Sequence, residues 1–124
     1  MQPMAGVFTE TIVGGKRDPV FGPVVMFGLG GVFVEVLEDV VWRTAPLPPA
    51  EAEKMTAGVR GRAFLEGARG KPPCDVAALQ DMIVRVSHLF SDLPDVAEMD
   101  INPVASTAKG TMALDARVIL DKKR

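Results

Sequence analysis

Apolar and polar positions alternate along residues 7–18, with Phe8, Ile12 and Val13 apolar and Thr9 and Thr11 favouring extended backbone, so this stretch reads as a β-strand. A period of two places Glu10, Ile12, Gly14, Lys16 and Asp18 on one face. Residues 19–23 (PVFGP) read as a turn and 24–27 as a short apolar strand. Residues 32–37 follow the run Gly28-Leu29-Gly30-Gly31 directly and read as β again. After a turn at Glu38-Asp39, residues 40–44 form another strand. The period then changes. Leu47-Pro48-Pro49 leads into Ala50-Glu51-Ala52-Glu53-Lys54-Met55, a helix start with Pro at its entrance, and Gly58 and Gly61 end or interrupt it. Residues 66–73 (EGARGKPP) read as a loop. Asp75 can N-cap a helix running to Ser91, in which Val76, Leu79, Met82, Ile83, Val86, Leu89 and Phe90 recur with a helical period. Finally, strands over 96–104 and 111–120 flank a hairpin turn at 106–110. Strands, then two helices, then two strands predict one α+β domain over 1–124, a mainly antiparallel sheet with two helices packed on one side.

Composition narrows the chemistry. The 124 residues are 48% hydrophobic and 24% charged with a net charge of -2, which fits a folded domain and gives no broad positive field for nucleic acid. One cysteine, Cys74, and one histidine, His88, permit neither an internal disulfide nor a Cys/His zinc cage, and a reduced, cytoplasmic setting is expected. No basic-then-apolar leader is read at the start. The longest uncharged run, 19–34, is broken by glycine and proline and is shorter than the ~20 apolar residues of a membrane span.

Three places could carry chemistry. FGLGG resembles a phosphate cradle in composition, but VFVEV follows it where a Rossmann or P-loop needs a helix, so a tight strand connection and a phosphate contact both stay open. The second place is Asp100-Ile101-Asn102-Pro103 with Asp115. Folding the hairpin about Ala108-Lys109 sets Asn102 opposite Asp115, and opposed side chains start about 5 Å apart at Cβ. An amide oxygen and a carboxylate at that spacing can share a hard cation such as Mg²⁺; the same residues also read as a solvated polar face. The third is Lys16-Arg17-Asp18, where Arg suits phosphate but strand-end charges are commonly just exposed. His88 falls on the polar side of its helix with Asp81 and Arg85, Ser87 lies in no nucleophile elbow, and Cys74 follows two prolines, so no nucleophilic triad is read.

Taken together, GGKRDPVFGPVVMFGLGG, LEGARGKPP, EMDINP and ALDARVIL resemble, in that order and over essentially the whole chain, the ATP-grasp domain of ADP-forming acyl-CoA (acetyl-CoA) synthetases. A more distant resemblance is to the β subunit of succinyl-CoA synthetase. The resemblance implies the C-terminal lobe of the grasp, with Mg²⁺ bridging ATP or ADP phosphates to Asn102 and Asp115, and Asp100 at the acidic position before the Asn. It implies Glu10, Arg17 and Asp18 beside the nucleotide, Gly30 and Gly31 in a loop near the phosphates, and Gln2-Pro3-Met4 at the adenine hinge. It assigns no role to Arg69-Gly70. The implied reaction is acyl-CoA plus ADP and phosphate giving acid, CoA and ATP, reversibly, through an acyl phosphate and a phosphohistidine. The first lobe, the CoA-binding domain and that phosphohistidine are not matched within these residues, and His88 lies outside every motif. The expectation is therefore a lobe that partners those parts, binds Mg-ATP weakly by itself, is inactive as a synthetase alone, and self-associates through apolar surface uncovered where its neighbours would sit. The same domain also occurs fused to protein lysine acetyltransferases, so a regulatory or interaction module is the alternative.

Overall fold

Asp75 begins the longest helix: its carboxylate accepts the Ala78 N–H at 3.0 Å, satisfying a donor that has no partner within the helix. The structure, a computed structural model, describes residues 9–30, 39–67 and 73–120. Its strands are β1 (Thr9–Asp18), β2 (Gly22–Leu29), β3 (Val40–Thr44), β4 (Val96–Thr107), β5 (Gly110–Ala113) and β6 (Ala116–Leu120). Its helices are α1 (Pro49–Gly58), α2 (Arg62–Leu65) and α3 (Val76–Asp92). The expected strand over 32–37, Gly31, the hinge residues Gln2-Pro3-Met4, and Arg69-Gly70 lie outside the described residues.

The strands form one antiparallel sheet in the order β3-β2-β1-β4-β5, and β6 pairs with the other half of the same β4 edge. This is the expected α+β arrangement, with two differences in detail. Residues 62–65 make an extra helical turn, and the last expected strand is divided at Leu114-Asp115. The division coincides with Pro103 on β4, which has no N–H to give to the ladder. There Asn102 N–H donates to Asp115 O at 3.1 Å and Leu114 N–H donates to Pro103 O at 3.0 Å.

Period-two alternation sends one row of side chains to the helices. Val13 of β1, Val25, Phe27 and Leu29 of β2, and Ile101 and Val104 of β4 form the core with Leu79, Ile83, Val86 and Phe90 of α3 and Ala52 and Met55 of α1. Gly15 sits under the Phe90 ring; a Cβ there would lie 2.5 Å from Cε2, so the ring occupies space that only glycine leaves. Ser87, buried on α3, donates to Val84 O at 2.7 Å and accepts the Leu47 N–H at 3.2 Å. Cys74 is buried with its thiol 3.7 Å from Ser106 O, and His88 is exposed. No helix among the described residues is long and apolar enough to cross a membrane.

Two charged residues close the ends of elements. Arg17, on the helix side of β1, donates through Nε to Val96 O at 2.8 Å and through Nη2 to Phe90 O at 2.7 Å and Leu93 O at 2.8 Å. Its guanidinium lies 5.5 Å from the centre of the Phe90 ring. The last turn of α3 contains no basic residue, so the sheet supplies the cation that its C-terminal carbonyls favour. Asp39, just before β3, is 4% exposed, and its carboxylate accepts the Arg60 and Gly61 N–H groups at 2.6 and 2.8 Å, tying that junction to the α1–α2 connection.

Candidate functional site

The other row of each strand faces away from the helices, and most of the expected site residues lie on it. On β1 this row is Glu10, Ile12, Gly14, Lys16 and Asp18, as alternation predicts. The hairpin of β4 with β5 and β6 turns at Ala108-Lys109 and pairs Val104 with Ala113 and Ile101 with Ala116. Asn102 and Asp115 are thus opposed, and both are exposed. Between β1 and β4 the register shifts: Thr11 pairs with Val104 but Val13 with Ile101. Two residues, Asn102 and Pro103, therefore stand opposite Ile12 alone. A bulge of this kind bends its strand and re-aims side chains, and here it does so at Asn102.

Glu10 pairs with Ala105 of β4, and its carbonyl accepts the Gly30 N–H at 2.8 Å. A Cβ on Gly30 would come within 3.0 Å of Glu10 Cβ, so glycine allows the chain after β2 to lie directly against Glu10. With its N–H already bonded, Gly30 contributes by its missing side chain. Glu10 is two residues along β1 from Ile12, about 7 Å, which brings Glu10 and Gly30 to the same end of the sheet as Asn102 and Asp115. Asp100 is half-buried opposite Gly14; a Cβ on Gly14 would sit 2.8 Å from Met99 O but at an ordinary 3.7 Å from Asp100 Oδ1, so the glycine makes room for the β4 backbone.

The structure does not bring Arg17 and Asp18 to this cluster. Arg17 is on the opposite face, bonded to the carbonyls around the end of α3. Asp18 is at the far end of β1, about 27 Å from Glu10 along the strand. Its Oδ2 accepts the Val20 and Phe21 N–H groups at 2.8 and 2.9 Å and shapes the β1–β2 turn. These bonds, Phe21's first and Val20's second, hold its carboxyl below the ordinary value of 3.8, with a smaller contribution from Lys16. Because the folded value is depressed, the turn's stabilisation is complete above that ordinary value and disappears as pH falls through the lower folded one. An NMR titration of the Val20 and Phe21 amide shifts is expected to give a midpoint below 3.8; a midpoint at or above it contradicts this turn geometry.

Arg117 was not singled out from the sequence, although alternation along 111–120 already set it beside Asp115. It stands opposite Asp100 on β6 and adds a cation to the acidic end of the sheet. Asp115 fixes Oδ1 on the Ala116 N–H at 2.9 Å. Among the described residues no three Asp, Glu, His or Cys side chains converge as a metal cage. The donor set is instead an amide and carboxylate oxygens at a solvent-facing position. This suits Mg²⁺, which is usually held by one or two protein carboxylates and completed by substrate phosphates and water.

Comparison with known proteins agrees with this architecture. A model of the ATP-grasp domain matches residues 1–120. The ADP-forming acetate–CoA ligase I of Archaeoglobus fulgidus is 46% identical over 99% of this chain, which spans 18% of that protein. The β subunit of the ADP-forming acetate–CoA ligase I of Pyrococcus furiosus is 49% identical over 90% of this chain and 48% of its own length, so the chain spans about half of that relative. A solved structure of acetyl-coenzyme A synthetase 1 from Ca. Korarchaeum cryptofilum, in complex with coenzyme A and Mg-AMPPCP, superimposes with a TM-score of 0.89 at 46% identity, over 94% of this chain and 55% of that one. With the family model covering nearly every residue and relatives approaching half identity over the same span, this chain belongs to the ATP-grasp domain family.

Proposed function

We propose that this chain is the Mg-nucleotide lobe of an ADP-forming acyl-CoA synthetase, an enzyme converting acyl-CoA, ADP and phosphate to acid, CoA and ATP and back. The observation that supports it most is the opposition of Asn102 and Asp115 across the β4 hairpin, with Glu10 and Gly30 at the same end of the face turned away from the described helices. Asn102 and Asp115 would hold Mg²⁺, with Asp100 behind them. The metal supplies charge neutralisation at phosphate oxygens during transfer. Arg117, opposite Asp100 in the ladder, adds positive charge, while Glu10 and the glycines Gly30 and Gly31 border the nucleotide. Asp18 and Arg17 serve the lobe by fixing a turn and a helix end. Acyl and CoA recognition and the phosphohistidine would belong to partner domains or a partner subunit; one relative is itself the β subunit of an ADP-forming acetate–CoA ligase.

A calorimetric titration with Mg-ATP tests this reading. The expected result is weak binding to the chain alone and much tighter binding once a first grasp lobe from one of the relatives is added. A lobe pair that binds no nucleotide overturns it and leaves an ATP-grasp-derived interaction module.

A further inference from the structure

Residues 112–120, the outer arm of the sheet, are exposed at every position, so neither face of β6 is covered. The arm is nevertheless apolar: Met112, Leu114, Val118, Ile119 and Leu120 are 40–52% exposed. Its outer edge is open as well. Asn102 N–H donates to Asp115 O, which makes these two a hydrogen-bonded pair of the antiparallel ladder. Alternation then turns the main-chain groups of Arg117 and Ile119 towards β4 and those of Ala116, Val118 and Leu120 outwards. The Ala116 N–H fits this direction, since Asp115 Oδ1 meets it at 2.9 Å. Among the described residues no strand pairs with the outward groups of Val118 and Leu120. Folded proteins ordinarily blunt such an edge with lysine or proline, and the outward positions of β6 carry neither.

A row of open main-chain groups is met by another strand, and the sequence is complementary to itself here. Asp115 occupies the Ala116 N–H, and the arm is interrupted between Ala113 and Ala116, so the usable row is Val118 and Leu120. Two copies related by a two-fold axis can set these residues against each other antiparallel in registers centred on residue 118, 119 or 120. Centring on Val118 opposes Asp115 to the partner's Asp121 and Arg117 to the partner's Ile119. Centring on Leu120 opposes Arg117 to the partner's Lys123 and Ile119 to the partner's Asp121. Centring on Ile119 opposes Arg117 to the partner's Asp121, twice by symmetry, and Ile119 to itself. Val118 and the partner's Leu120 then exchange main-chain hydrogen bonds. Asp121 and Lys123 enter by sequence position alone.

We propose that two copies of this chain join through β6, antiparallel and centred on Ile119, so that the sheet continues across a two-fold axis. This does not depend on the proposed synthetase function.

In the pair formed by the two copies of Ile119 the Cα atoms would lie about 4.5 Å apart, within disulfide reach. Ile119→Cys is therefore expected to give a disulfide-linked dimer under mild oxidation. Val118→Cys and Leu120→Cys are expected to link at least about tenfold more slowly, because each would lie about 7 Å along the strand from its own counterpart. Cys74 is buried, and the unsubstituted chain is the control. Without oxidant, analytical ultracentrifugation is expected to show a dimer. Ile119→Lys, at a 45% exposed position, is expected to give a folded monomer, because it opposes two ammonium groups. Asp121→Lys is expected to weaken the dimer about tenfold, because it sets a lysine against Arg117 twice. A chain that stays monomeric up to millimolar concentration, equally fast cross-linking at all three positions, or a dimer unaffected by Ile119→Lys or by Asp121→Lys overturns the proposal.

Discussion

Replacing Arg17 with alanine is expected to destabilise the fold by about 2–4 kcal/mol and to lower Tm by about 10 °C. The side chain gives three hydrogen bonds to carbonyls of residues 90, 93 and 96, each 2.7–2.8 Å long. Truncation leaves Phe90 O and Val96 O, at part-buried positions, without these donors and removes the only cation described at the end of α3. Charge-assisted bonds of this kind contribute more than neutral ones, and an unmet buried carbonyl costs more than the bond was worth. Arg17→Lys is expected to recover only part of the loss, since one ammonium cannot reproduce a planar fork spanning three carbonyls. Thermal unfolding by circular dichroism measures the effect. The same variant separates a structural role from direct nucleotide contact: well below its Tm, Arg17→Ala is expected to bind Mg-ATP with unchanged affinity, and a large loss of affinity there would return Arg17 to the phosphates.

Asn102→Ala and Asp115→Ala carry the second large effect. In the lobe pair, each is expected to weaken Mg-ATP binding about tenfold or more, equivalent to about 1.4 kcal/mol or more, with little change in Tm. Both side chains are exposed, so truncating them opens no cavity and strands no buried partner. Asp115→Asn refines the reading. Its amide oxygen can still accept the Ala116 N–H that Oδ1 accepts at 2.9 Å, so local structure is kept while the charge is lost. Its affinity is expected to fall with that of the alanine variant. The loss is expected only when Mg²⁺ is present, because the argument runs through a shared cation.

These two predictions also show how far the sequence reached. The hairpin register was legible because a short turn before Gly110 fixes which residues oppose each other, and that alone set Asn102 against Asp115. The parity of β1 was legible too, although the resemblance set Arg17 together with Glu10 and Asp18 beside the nucleotide in spite of it. The partners of Arg17 were not, because they lie more than seventy positions away and become neighbours only when α3 docks on the sheet. Asp39 escaped for the same reason: read as a turn residue, it bonds N–H groups of Arg60 and Gly61, 21 and 22 positions on. The bulge at Asn102-Pro103 was hidden because alternation counts residues on one strand, while a bulge is a mismatch between two. Asp18 illustrates a further limit. The strand read over 7–18 already set it eight residues from Glu10, yet the resemblance grouped the two beside the nucleotide, and the structure puts them at opposite ends of β1.

The central claim is that Asn102 and Asp115 act on one cation rather than as two separate polar contacts. A double-mutant cycle measures this directly, from the Mg-ATP affinities of the lobe pair with Asn102→Ala, Asp115→Ala and both together. If the two groups share one Mg²⁺, the double variant binds no more weakly than the weaker single variant, and the coupling disappears when ATP is titrated without Mg²⁺. Additive losses, or affinities that neither substitution changes, would contradict it.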